Sequence, residues 1–72
     1  MEFEFWIARD FVGSLCAYTT KPTYNNTTKD WSYDYDNGTL FILDNRLFPE
    51  VTFENSPRKI KIELVWQQKK KN

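Results

Sequence analysis

Period-two alternation at both ends of the chain is the feature that most restricts its fold. Phe3, Phe5 and Ile7 alternate with Glu2, Glu4 and Trp6, and near the other end Ile60, Ile62, Leu64 and Trp66 alternate with Lys59, Lys61, Glu63 and Val65. Successive residues of a strand point to opposite faces, so each segment reads as a strand with one face toward a core. With 72 residues there is room for one domain, and a domain of that size buries only about 60% of the surface its unfolded chain exposes. Three Trp, four Tyr and six Phe are therefore expected to build much of the core, because each buried ring removes roughly 150–250 Å² from water.

Turn chemistry divides the rest. Asp10-Phe11-Val12-Gly13 offers an Asp that can bond its following backbone and a Gly free to take positive φ, so Ser14–Tyr18 reads as the return strand of a hairpin over residues 2–18. Thr19–Asp30, rich in Thr, Asn and Lys and entered through Pro22, reads as a loop. Trp31, Tyr33 and Tyr35 alternate with Ser32, Asp34 and Asp36 as a third strand, and Asp36-Asn37-Gly38 predicts a tight turn into Thr39–Leu43. Asp44–Phe48 has the makings of one helical turn stopped by Pro49, and Val51–Phe53 of a brief edge segment before the Asn55-Ser56-Pro57 turn. The expected fold is mainly β: a single antiparallel domain of about five strands over residues 1–66, a half-open barrel or sandwich with at most one short helical turn. Residues 67–72 form a basic tail with nothing to bury.

The inventory of reactive groups is thin. There is no histidine, one cysteine and two glycines, each glycine in an expected turn, so neither an acid–base pair tuned near neutral pH nor a phosphate cradle can be assembled from the usual parts. Cys16 lies in an apolar strand with no histidine to activate it and reads as a small hydrophobe. No catalytic residue, metal site or cofactor is expected, and Asp34-Tyr35-Asp36-Asn37-Gly38 imitates a calcium loop without its distal Glu. A single thiol and a charged first strand in place of a signal peptide point to a reducing, cytoplasmic setting, and no apolar run approaches the roughly 20 residues of a membrane helix.

A formal net charge of zero conceals a polar distribution: the chain carries −5 up to Pro57 and +5 from Arg58 to Asn72. Two surfaces follow. On the expected third strand Asp34 and Asp36 project from one face roughly 6.6 Å apart, close to phosphate spacing, as a patch able to dock on a basic groove. Lys59, Lys61 and the run Lys69, Lys70 and Lys71, near Trp66 and Trp6, form the opposite kind of surface, cations for phosphates and a ring for a base. Alternation on a solvated face and Lys protection of a strand edge explain both without a ligand, and a pI near 6.2 lies far below that of a free-standing nucleic-acid binder.

Trp6-Ile7-Ala8-Arg9-Asp10, Gly13-Ser14-Leu15, Tyr18, Lys21-Pro22, Trp31 and Leu47-Phe48-Pro49-Glu50-Val51 together resemble short proteins encoded by phages and mobile elements of bacteria, loosely across residues 23–36. This chain departs from that pattern in having Cys16 where an aromatic is common, and Phe11 and Val12 where a polar turn residue is common. Two apolar groups are thereby placed on a loop tip, as a protein contact requires. In size and composition the chain also resembles anti-CRISPR proteins. The resemblance implies a non-enzymatic inhibitor of a host defence nuclease, an RNA-guided effector with or without its guide RNA, acting by occupying a surface or disturbing guide loading. Phe11, Val12, Asp34 and Asp36 are the candidate contact residues. The alternative is a small RNA-binding module using Lys59, Lys61 and Lys69–Lys71, and a third reading, a phage assembly component, predicts self-association.

Overall fold

A computed structural model describes residues 2–63. The fold is all-β, with no helix among the described residues: β1 (Glu2–Arg9), β2 (Leu15–Tyr18), β3 (Thr23–Asn25), β4 (Asp30–Ser32), β5 (Leu40–Leu43) and β6 (Arg58–Glu63). Four strands form one antiparallel sheet in the order β5-β2-β1-β6, and β3 and β4 form a second, two-stranded sheet. The mainly β antiparallel architecture is as expected, and so are the hairpin β1–β2 and the final strand, whose Leu64, Val65 and Trp66 lie outside the described residues along with the basic tail.

Register assigns the faces. Phe5 sits opposite Ile60 and Ile7 opposite both Ala17 and Arg58, while Leu15 and Ala17 face Leu43 and Phe41 of β5. One face of the large sheet therefore carries Phe3, Phe5, Ile7, Leu15, Ala17, Phe41, Leu43, Ile60 and Ile62, with Arg9 and Arg58 at its end, and the other carries Trp6, Ala8, Cys16, Tyr18, Glu2, Glu4, Lys59, Lys61 and Glu63. The segment between β5 and β6 folds over the apolar face and seats Val51 and Phe48 against Ile7, Leu15 and Ala17.

The segment Trp31–Asp36 is a strand only as far as Ser32, and β5 does not pair with it. The physical reason is burial. Pairing Leu40–Leu43 with β2 sets two apolar strands side by side on the core face, whereas the expected hairpin would set it beside Asp34 and Asp36. Asp34 instead closes a turn: its carboxylate accepts from the Asp36 and Asn37 amides at 3.0 and 3.2 Å, and its carbonyl accepts from Gly38 N–H at 2.7 Å. At Gly38 a Cβ would stand 2.5 Å from Thr20 Oγ1 and 2.9 Å from the Asp34 carbonyl, so only glycine fits.

Within Thr19–Asp30, expected to be a loop, Thr23–Asn25 pairs with Asp30–Ser32, placing Tyr24 directly opposite Trp31. Their rings meet edge to face at 5.3 Å, an aromatic cross-strand pair of the kind that holds a short ladder together. The Asn25 side chain caps the turn by accepting from Thr27 and Thr28 N–H. The expected helical turn over Asp44–Phe48 is a β-turn, with Leu47 N–H on the Asp44 carbonyl at 3.0 Å, and Val51–Phe53 is not a strand.

The aromatics do not fill the core as expected. Tyr18 is the one ring that is buried among the described residues, and the largest fully enclosed side chains are Ile7 and Leu15. The apolar face of the large sheet is covered by the segment between β5 and β6 and not by a facing sheet that could close over large rings. Phe3 and Phe41 are consequently exposed.

Candidate functional site

The end of the molecule where the β1–β2 hairpin turns is organised by Arg9 and Asp10. Asp10 accepts from Val12 N–H at 3.1 Å and Ser14 N–H at 2.9 Å through one carboxylate oxygen, and its carbonyl accepts from Gly13 N–H at 3.0 Å. Gly13 takes φ = +102°, which returns the chain into β2 and which side chains rarely adopt. With the Val12, Gly13 and Ser14 amides of the turn all bound by Asp10, Phe11 and Val12 are left projecting into solvent, 61% and 70% exposed.

Arg9 binds the long segment to this hairpin. Its guanidinium donates to five carbonyls: Val51 from Nε at 2.6 Å, Gly13 and Asn45 from Nη1 at 2.9 and 3.0 Å, and Leu47 and Phe48 from Nη2, both at 3.0 Å. A planar fork with five donors suits this task in a way an ammonium does not. Phe48 is held at φ = +50°, a costly conformation for a large side chain, by the Arg9 bond to its carbonyl, by Val51 N–H on the same oxygen at 2.9 Å, and by packing of its ring on the core. The Arg9 amide donates to Ser56 Oγ at 2.9 Å and its carbonyl accepts from Trp31 Nε1–H at 3.1 Å, so one residue joins hairpin, long segment and small sheet.

That junction aligns rings. Phe11 meets Phe53 edge to face at 6.4 Å, Phe53 meets Tyr24 at 5.2 Å, and Tyr24 meets Trp31. A row from Phe11 to Trp31 results, flanked by Val12. Sequence reasoning singled out Phe11 and Val12 and missed Phe53 and Tyr24, which lie far away in the chain in segments without strong periodicity. The turn motif Arg9-Asp10-Gly13-Ser14 acts as geometry, as its residue types imply.

The other candidates are dispersed. Asp34 and Asp36 share the turn before β5 and form no ladder on a strand. Hydrogen bonds from Asn37, side chain first and then backbone, hold the Asp34 carboxyl below the usual range, so it is committed to its own turn. Lys59 and Lys61 face β1 and pair with Glu4 at 3.3 Å and Glu2 at 3.9 Å in exposed ion pairs. Lys59 and Lys21 also approach the Trp6 ring, at 5.5 and 5.2 Å from its centroid. Lys69, Lys70 and Lys71 lie outside the described residues. Cys16 is half-buried, and burial pushes its thiol above the ordinary value, opposite to what an activated nucleophile needs.

Comparison with family models, with curated proteins and with solved structures finds no match to this chain.

Proposed function

We propose that the protein acts by stoichiometric contact with another protein, through the aromatic end built from Phe11, Val12, Phe53 and Tyr24. The observation that carries this reading is the Phe11–Val12 tip, two apolar side chains held in solvent by a turn whose Val12, Gly13 and Ser14 amides Asp10 binds. Large apolar groups displayed on a rigid frame lose little conformational entropy on binding and are the usual anchors of protein interfaces. The resemblance to anti-CRISPR and other phage proteins supplies the target: a cytoplasmic defence nuclease of a bacterial host, RNA-guided, which the protein inhibits without chemistry of its own. Asp36, exposed beside the self-capped Asp34, adds negative charge toward a basic groove on such a partner.

The test is capture of the tagged protein from a bacterial lysate containing RNA-guided effectors, with and without RNase. Recovery of one effector whose cleavage the added protein suppresses at equimolar ratio is the expected result, and RNase sensitivity tells whether guide RNA belongs to the contact. Recovery of mixed RNA alone overturns it in favour of RNA binding. That second reading has one observation behind it, the Trp6 ring between Lys21 and Lys59, although Glu2 and Glu4 offset the neighbouring cations. Direct phosphate contact on single strands gives a salt slope of about −0.7 per phosphate neutralised, whereas an apolar protein contact barely responds to salt.

A further inference from the structure

The large sheet has two edges, and they are built differently. β6 carries Arg58, Lys59, Lys61 and Glu63, charged side chains of the kind that discourage pairing at an exposed edge. β5, at the other edge, reads Leu40-Phe41-Ile42-Leu43 with no charge and no proline, and Ile42 is 83% exposed. Such an edge is open to another strand.

The pairing pattern tells which backbone groups it offers. Thr19 N–H bonds the Thr39 carbonyl at 3.1 Å, and antiparallel ladders alternate, so the amides and carbonyls of Phe41 and Leu43 turn toward β2. Those of Leu40 and Ile42 turn outward, and no bond to another described group is made by them. An antiparallel pair about a two-fold axis needs residues of one parity opposite each other, and β5 meets that condition with itself. Centred on Phe41, the pairing sets Leu40 of each copy opposite Ile42 of the other, so outward amides and carbonyls meet. It also sets the two Phe41 rings together at a non-hydrogen-bonded position, where side chains come closest.

An axis normal to the sheet keeps like faces together. Beside Phe41 lies an open apolar groove of about 340 Å³, lined by Phe5, Phe41, Phe48, Ile60 and Ile62 among others. Pairing at β5 makes the two grooves continuous. A formal net charge of zero removes the long-range repulsion that keeps many small proteins apart. We propose that a second copy of this chain occupies the β5 edge, joining two four-stranded sheets into one continuous sheet through an isologous interface. The interface is distinct from the hairpin tip and does not depend on the partner reading above.

Sedimentation of the full chain over a concentration series, with amide exchange by NMR, tests this. The expected mass rises from 8.7 kDa toward twice that value and stops there, and the Leu40 and Ile42 amides gain protection as it rises while those of Lys59 and Lys61 do not. Ile42→Pro removes an outward N–H, which an edge strand tolerates, and should hold the protein at the mass of one chain. If that variant loses its fold by near-ultraviolet circular dichroism, Ile42→Lys, which puts a charge on an exposed position, gives the same reading. A wild-type mass that stays at one chain, growth beyond two, or undiminished association of a folded Ile42 variant each overturns the proposal.

Discussion

Arg9 shows how much one side chain decides in a small domain. Five carbonyls from the hairpin and the long segment converge on its guanidinium, and removing it takes a donor from each at a partly buried junction, with only the Phe48 carbonyl keeping another, the Val51 N–H. Arg9→Lys keeps the charge and loses the fork, and we expect it to lower stability by about 2–3 kcal/mol in urea unfolding. A loss below about 0.5 kcal/mol, the usual limit for surface changes, contradicts that role. Tyr18 and Cys16 set the pH response. Burial raises both groups above their ordinary values of 10.0 and 9.0, with mutual interaction adding to the Tyr18 shift, so the folded state binds these protons more tightly than the unfolded one. Their stabilisation is fully present below the unfolded thiol value and is lost as pH climbs past it and then through the phenol range. The melting temperature should fall above about pH 9, and Tyr18→Phe should flatten the steeper, higher part of that decline. An unchanged alkaline profile in Tyr18→Phe contradicts this assignment.

At the scale of elements, strength of pairing follows what each strand can bury. Leu15 is enclosed on all sides, whereas Phe5 borders the open groove and is half-buried. Leu15→Ala should cost about 2–5 kcal/mol, and Phe5→Ala should cost less although it removes more atoms. The reverse order, read from thermal melts, would show that the groove is closed in solution. β1, β2 and β6 were legible in the sequence because alternation and turn residues agree there. The strand at Leu40–Leu43 was legible too, but its partner was not, because Asp36-Asn37-Gly38 signals a hairpin locally while the apolar Leu40–Leu43 gains more by lying against β2. β3 was missed for a related reason: Thr23–Asn25 is too short for a period, and its pairing rests on one ring pair, Tyr24 with Trp31. Phe11 and Val12 could be named from the turn alone, since an Asp–Gly turn leaves its central side chains outside. Phe53 and Tyr24 become their neighbours only through Arg9, a contact no local pattern announces.

For the whole molecule, an antiparallel sheet with one loosely covered face, an aromatic row at one end and an uncharged edge are the features on which the contact function is proposed. Among the described residues, the raised Cys16 thiol and the self-capped Asp34 are the reverse of tuned catalytic groups. The proposed function is accordingly a matter of which surface is covered and by what. The direct measurement is effector binding and inhibition by wild type and by the double variant Phe11→Ser/Val12→Ser, both shown folded by their melts, titrated against a captured RNA-guided nuclease. The expected result is inhibition by wild type that saturates at equimolar ratio, with affinity reduced at least tenfold in the variant and little altered by salt. Equal inhibition by both proteins, or binding that disappears with rising salt and follows Lys59 and Lys61 instead, contradicts the assignment of the aromatic end.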